Sequence, residues 1–391
     1  MDVRIAPGPL EGTVTPPPSK SISHRVILAF LLAEGEGTIS NLAQSQDIQA
    51  TENCVATLKS GTPTGMDGLP LLDCGESGST LRFLIPVALA LRGGGCFTGR
   101  GRLMERPQTP YFDMFREKGI FWERIGDLLE VKGTLTPGVY RLPGNVSSQF
   151  VTGLLYALPL LEGDSEIVLT SPLESRDYAV MTLDVLEKFG VHVENRDFKC
   201  FLVPGNQKFK ARDMAIEADW SQAAFWYAAQ GIGNDIMVSG MNENSTQGDR
   251  AIARWSKLLR GPVDLDISGC PDLAPPLAAL GALMDGTLYL RNAARLRIKE
   301  SDRLAAITQT LAALGADVTE GPDSLTIVGR PSLPGGVTVD SCNDHRIAMM
   351  AAIAATRCTG PVTILGAEAV NKSYPGFWDD YRMLGGNFRV L

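Results

Sequence analysis

A chain of 391 residues, 44% hydrophobic and 20% charged, has the makeup of a folded globular protein and exceeds the size at which one core stops growing, so two domains are expected. A formal net charge of −8 argues against nucleic acid or an anionic membrane surface as partner, since both reward a basic face. Seven scattered cysteines without a CxxC pair argue against a disulfide framework or a zinc site. The opening MDVRIAPGPLEG lacks the basic start and apolar run of a signal peptide, and no apolar stretch is long enough to span a bilayer; a cytoplasmic location is expected.

Along the chain one unit recurs six times: a polar, hydroxyl-rich opening, an apolar alanine-rich helical run, a glycine and a short strand. SKSISHRVILAFLLAEG opens at Ser19 and GESGSTLRFLIPVALALRGG at Gly75. VSSQFVTGLLYALPLLEG follows at Val146, then DWSQAAFWYAAQGIG at Asp219, PDLAPPLAALGALMDG at Pro271 and NDHRIAMMAAIAATRCTG at Asn343. Strands such as TISNL, EIVLTSP, DIMVSGM, TLYLRNA and VTILGA come after them. Amphipathic helices lie between copies, clearest in YAVMTLDVLEKFGVHVE from Tyr178 and ESDRLAAITQTLAALGADVTE from Glu300. An interval of roughly sixty residues is too long for a solenoid repeat and points to an α/β fold built from a βαβαββ-like module used six times, three per domain.

Helices that are apolar nearly all round belong in a core, which leaves their polar beginnings as the informative part. A helix start presents free N–H groups and the positive end of the macrodipole, so several starts facing one cleft make an anion trap in an acidic protein. Capping alone accounts for Ser, Asp and Asn at such positions, but not for the Lys, Arg and Gln beside them.

In chain order, Lys20, Ser21 and Arg25 stand around the first helix entry, with Ser21 and Arg25 four apart and able to share a face. The pattern is not a P-loop, because GxxxxGK[ST] is absent. Gly78 in CGESGST allows backbone to approach a ligand closely. Arg100, Arg102 and Arg106 follow in GRGRLMERPQ, and Ser147, Ser148 and Gln149 open another helix; all are phosphate or carboxylate ligands by type. In the second half Arg295, Arg297, Lys299 and Arg303 surround Glu300 and Asp302, a run that solvated ion pairing also explains. Asn343-Asp344-His345-Arg346 and Lys372 in VNKSYPGF complete the set. His24 and His345 sit beside these motifs, but a metal needs more ligands than the sequence offers.

The strings SKSISHR, CGESGSTLRF, MERP, VSSQF, ESRDY, RIKESDRL, NDHR and NKSYPG occur in the order and spacing of the 5-enolpyruvylshikimate-3-phosphate synthases, and the chain resembles that family across almost its whole length. The resemblance implies the enolpyruvyl transferase fold, a two-domain inside-out α/β barrel of six βαβαββ-like modules. The family's chain starts in one domain, builds the other and returns, which implies a discontinuous domain of residues 1–18 and 219–391 and an inserted domain of residues 19–218. The proline-rich run APGPLEGTVTPPPSK suits the first crossing.

The implied reaction transfers the enolpyruvyl group of phosphoenolpyruvate to the 5-hydroxyl of shikimate 3-phosphate, by addition and then elimination of phosphate, with no metal and no cofactor. It belongs to the shikimate pathway of aromatic amino acid biosynthesis. Addition needs one carboxylate to accept a proton and one carboxylic acid to donate one; Asp272 and Glu300 match those positions, and Lys20 matches a third group at the junction of both substrates. The resemblance assigns Lys20, Ser21, Arg25, Ser147, Ser148, Gln149, Ser175, Asp272 and Lys299 to shikimate 3-phosphate. It assigns Lys20, Gly78, Arg106, Gln149, Arg303, Arg346 and Lys372 to phosphoenolpyruvate. A monomer is expected, with sensitivity to the family's phosphonate inhibitor glyphosate, for which Gly78 leaves room.

Three positions depart from the commonest bacterial pattern: Glu76 for Asn, Ser79 for Thr and Arg295 for Asn. The spacers SGTPTGMDGLPLL after Lys59 and RGPVDLDISGC after Leu259 are short, so modules one and four are expected to lack part of a strand pair. The sister enzyme acting on a UDP-sugar typically has a KNA-type opening and a cysteine on its active loop, where this chain has SKS and GRGRLMERPQ. A silent binding paralogue is the other alternative; the retention of Lys20, Asp272, Glu300, Arg303 and Lys372 speaks against it.

Overall fold

The computed structural model describes residues 1–61, 65, 68–258 and 260–391. Proline fixes φ and has no N–H to give a ladder, and Pro18 accordingly makes an isolated antiparallel bridge with Ala218. Beside it Ser19 N–H donates to Glu217 O at 2.7 Å and Asp219 N–H to Pro17 O at 2.8 Å. Contacts divide the chain at this paired crossing into two compact units, Met1–Ser19 with Glu217–Leu391, and Lys20–Ile216.

Within Lys20–Ile216, two four-stranded sheets follow one plan. Leu71–Asp73 runs parallel to Gly94–Thr98, which pairs antiparallel with Leu128–Lys132 and through it with Phe121–Ile125. Gly138–Leu142 runs parallel to Ser165–Leu169, followed by antiparallel Cys200–Val203 and Glu194–Arg196. The helices Gly78–Arg92 and Ser148–Ala157 make the parallel crossovers, and Thr109–Lys118 and Arg176–Lys188 lead into the hairpins. Each module thus reads βαβαββ.

The same order recurs in the other unit. Val263–Asp266 is parallel to Thr287–Arg291, then antiparallel Leu325–Val328 and Asp317–Glu320 complete the sheet. The last sheet pairs Thr338–Asp340 with Val362–Leu365 in parallel and then takes the first strand of the chain, Val3–Ala6, between Val362–Leu365 and Asn387–Val390.

The two remaining copies contribute two-stranded parallel ladders among the described residues. Ala33–Glu34 pairs with Phe209–Lys210 and Ile39–Ser40 with Met214–Ala215; Glu11–Val14 pairs with Asp235–Val238. The short spacer after Lys59 falls partly on residues 62–64, 66 and 67, which lie outside the described residues, as does Leu259 itself. The spacer after Leu259 supplies Val263–Asp266, the first strand of the next module.

The six alanine-rich helices form the cores. Every residue of His345–Ala355 is buried, as are all those of Ala274–Gly281. Gly78–Arg92 tolerates an internal proline for an identifiable reason. Pro86 has no N–H for the carbonyl of Arg82, and Tyr111 Oη–H donates to that carbonyl at 2.8 Å instead. Gly153 on the helix Ser148–Ala157 lets this arrangement close up, since a Cβ there would lie 2.5 Å from Arg82 O. No described helix is long and apolar enough to cross a membrane.

Candidate active site

In the unit Lys20–Ile216 the candidate residues gather at helix starts, where capping and charge are divided between neighbours. Ser77 Oγ caps Gly78–Arg92 by accepting from Thr80 N–H at 3.2 Å, and Ser147 Oγ accepts from Gln149 N–H at 3.3 Å. Ser148, buried at the first helical position, is not needed as a cap. Lys20 opens its helix with Nζ 2.7 Å from Asp47 Oδ2, and both side chains are largely buried. Arg25, fully buried, donates from Nε to Thr182 Oγ1 at 2.9 Å, from Nη1 to Ser21 O at 2.7 Å and from Nη2 to Tyr178 O at 2.9 Å. Its guanidinium also lies 5.3 Å from the Phe83 ring centroid. Burial pulls its pKa down to about 10, against the opposing influence of Tyr156 and Tyr178.

Gly78 and Arg106 are in direct contact, because a Cβ on Gly78 would stand 2.8 Å from Arg106 Nη1 and 3.0 Å from Cζ. Gln149 is locked from both ends of its amide. Oε1 accepts from Arg82 Nη1 at 2.7 Å, and Nε2 donates to Ser79 Oγ at 2.9 Å. Arg82 also reaches Pro107 O at 3.0 Å, immediately beyond Arg106. Ser175 precedes Arg176–Lys188 with φ 53° and ψ 48°, a left-handed conformation uncommon for serine, and such residues recur at ligand sites.

In the other unit the candidates bind one another. Arg303, 1% exposed, donates from Nε to Asp344 Oδ2 at 2.8 Å, from Nη1 to Asp272 Oδ1 at 2.9 Å and from Nη2 to Glu300 Oε2 at 2.7 Å. Arg346 Nη2 donates to Asp272 Oδ2 at 2.9 Å, and Lys299 Nζ lies 3.5 Å from Asp272 Oδ1. Lys372 Nζ donates to Asn343 O at 2.6 Å, one residue before Asp344. Asp344 caps His345–Ala355 through Arg346 N–H at 3.0 Å and receives Ser301 Oγ–H at 3.0 Å.

Electrostatics follow the partners. Burial alone would lower the Arg303 guanidinium, but the charges of Asp344, Glu300 and Asp272 hold its pKa above the ordinary arginine value. Burial brings the Lys299 ammonium down to about 8, with Asp272 opposing and Arg303 and Arg295 adding to the fall. His24 is neutral: burial, then Lys20 and Arg25, push its pKa well below the usual value, and its Nδ1 pairs with Thr51 Oγ1 at 2.7 Å. The seven cysteines are free thiols. Among the described residues no group of three or more His, Cys, Asp or Glu is arranged to hold a metal ion.

A family model described as EPSP synthase (3-phosphoshikimate 1-carboxyvinyltransferase) matches residues 5–381. A 3-phosphoshikimate 1-carboxyvinyltransferase of Clostridium kluyveri is 45% identical over 98% of this chain and 97% of its own. One of Clostridium novyi is 43% identical over 98% of each. The chain belongs to the EPSP synthase family. A solved EPSP synthase from Acinetobacter baumannii superposes with a TM-score of 0.80 at 25% identity, covering 99% of both chains, so the fold is the two-domain inside-out α/β arrangement of EPSP synthases.

Against the family's motifs, the basic runs separate into two kinds of residue. Arg297 ties Asp302 at 3.0 Å and Glu320 at 2.8 Å, taking the ordinary ion-pairing role, while Arg303 turns inward. Arg100 and Arg102 pair with Asp73 and Glu105 at the surface, whereas Arg106 is buried. Sequence reasoning gave no role to Asp47 or Arg82, and read Asp344 only as part of a helix start. A charge inside an apolar helical run was the available signal for Arg82. The aspartate two residues past the Ser45 cap was the signal for Asp47.

Proposed function

We propose that this chain, as an EPSP synthase family member, transfers the enolpyruvyl group of phosphoenolpyruvate to the 5-hydroxyl of shikimate 3-phosphate and releases phosphate. The 5-hydroxyl oxygen attacks C2 of phosphoenolpyruvate while Asp272 takes its proton and Glu300 delivers one to C3. Elimination then returns a proton from the new methyl group to Glu300 as the C2–O bond to phosphate breaks, and the proton held by Asp272 leaves with the phosphate. The observation that carries this reading is that Asp272 and Glu300 share one buried guanidinium, with Oδ1 and Oε2 at 2.9 and 2.7 Å from Arg303.

An ion-paired carboxylate is held in its charged form, so in this reading Glu300 gains its proton as the carboxylate of arriving phosphoenolpyruvate takes its place on Arg303 Nη2, while Nη1 stays on Asp272. Arg303, Arg346, Lys372 and Arg106 then hold phosphoenolpyruvate, with Gly78 giving Arg106 its room. Lys20, Ser21, Arg25, Ser147, Ser148, Gln149, Ser175 and Lys299 hold shikimate 3-phosphate, Gln149 and Lys20 touching both substrates. The reading includes a monomer that works in the cytoplasm without metal.

The test is phosphate release from phosphoenolpyruvate in chelator, with shikimate 3-phosphate or a UDP-N-acetylhexosamine as co-substrate. Release with the first alone is expected. No turnover with shikimate 3-phosphate overturns the reading, and turnover with the UDP-sugar alone replaces it.

A further inference from the structure

A carboxylate held by Arg303 at 2.9 Å and Arg346 at 2.9 Å, with Lys299 at 3.5 Å, is a poor proton acceptor, because each cation favours its charged form. A base so placed needs buried negative charge nearby. Asp344 supplies one such charge through its own bonds to Arg303. A second buried carboxyl belongs to Asp249, on the turn Gly248–Ala251; that turn and Pro271–Leu273, which carries Asp272, pack against the same helix, Trp220–Gly231, and the Asp272 charge opposes that of Asp249.

We propose that Asp249 is a positioning residue for this reaction: its buried carboxylate acts through Asp272, sustaining the basicity of that residue against Arg303, Arg346 and Lys299. The inference rests on Asp272 being the base. Asp249 is 4% exposed, and its Oδ2 accepts the hydroxyl hydrogen of Ser221, the second residue of the helix Trp220–Gly231. Its Oδ1 receives no hydrogen bond from a described protein group, so this carboxyl has room for a proton. Unlike Asp272, it has no ion pair with a described cation. The groups that face it are Asp272 and Asp219, which oppose its charge, and Arg346 and Ser221, which favour it. Burial first and the Asp272 charge second raise its pKa to about 7. Two carboxyls that oppose each other in this way titrate as a pair, each raising the proton affinity of the other.

A purely structural Asp249 would tie its turn to the helix through Ser221 and affect stability alone. The pH profile of kcat separates the two roles. The wild-type chain should lose activity on acidification around neutrality. Asp249→Asn, which keeps shape but removes charge, should lower the plateau by about tenfold, the effect of roughly one unit of base strength, and move the acidic limb to lower pH. Ser221→Ala removes a donor that favours the charge, so its acidic limb should move to higher pH. Opposite displacements by the two variants support the proposal; unmoved limbs overturn it, even if stability falls. Should Asp249→Asn fail to fold, the limb of Ser221→Ala decides alone. If the wild-type chain shows no turnover, the assignment of Asp272 as base fails separately. The pairing is then read by carbon-13 NMR of labelled aspartate, where Asp272→Asn should lower the Asp249 midpoint and an unchanged midpoint overturns the pairing.

Discussion

The two clusters of candidate residues are organised on different principles. Those of Lys20–Ile216 are held mostly by neutral partners: hydroxyls, carbonyls, an amide and aromatic faces around Arg25 and Gln149. Those of the other unit are held by opposite charges, with three carboxylates on Arg303 alone. Neutral partners leave a cation's charge uncancelled, which suits an anionic ligand. Carboxylates cancel it and are themselves brought close together, which suits proton transfer. A binding surface and a proton-handling surface are therefore distinguishable by who satisfies the arginines.

Breaking the charged cluster should have the largest effect. Arg303→Met leaves Asp344, Asp272 and Glu300 without their common partner, and removing one member of a buried ion pair costs about 3–5 kcal/mol. A fall of that size in urea unfolding, with turnover abolished, is expected. Asp272→Asn and Glu300→Gln keep shape and should lose about 10²–10⁴ in kcat while calorimetry still detects shikimate 3-phosphate binding; unchanged turnover in either removes its assigned role.

In the neutral cluster the effects should appear in binding. Gly78→Ala sets a methyl 2.8 Å from Arg106 Nη1, so the guanidinium must shift; KM for phosphoenolpyruvate should rise about tenfold or more, since a misplaced ion contact is worth roughly 1.5–3 kcal/mol. Lys299 crosses the comparison, being a half-buried cation whose pKa is lowered to about 8. Its charge is present below that pH and lost above it, so KM for shikimate 3-phosphate should climb as pH passes about 8. Lys299→Arg, which stays charged, should flatten the climb. The smallest effect belongs to Arg100→Ala: its pair with Asp73 is mostly exposed, and stability should change by less than about 1 kcal/mol with kinetics unaltered.

Helix starts were legible because capping is local: Ser77, Ser147, Asp219 and Asp344 each accept from an N–H two or three residues ahead. At SSQ the cap is Ser147, whose Oγ accepts from Gln149 N–H, and Ser148 beside it is free of that duty. Partnerships across distant segments left little trace. Lys20 meets Asp47 and Ser221 meets Asp249 from 27 and 28 residues away, and nothing in either local pattern names the other. In RLRIKESDR the residue types were visible but the division of labour was not. Only packing decides that Arg303 turns to the buried Asp344 while Arg297 turns to Glu320.

The final sheet has a consequence for the order of synthesis. Val3–Ala6 leaves the ribosome long before its neighbours in the sheet, Val362–Leu365 and Asn387–Val390. At about 5–20 residues per second, translation keeps that strand waiting for tens of seconds. The segment Lys20–Ile216, whose sheets contain only its own strands, is complete long before then. A nascent chain therefore holds one finished body and one unclosed sheet, and chaperone protection is most needed at Val3–Ala6 until Val362–Leu365 and Asn387–Val390 arrive.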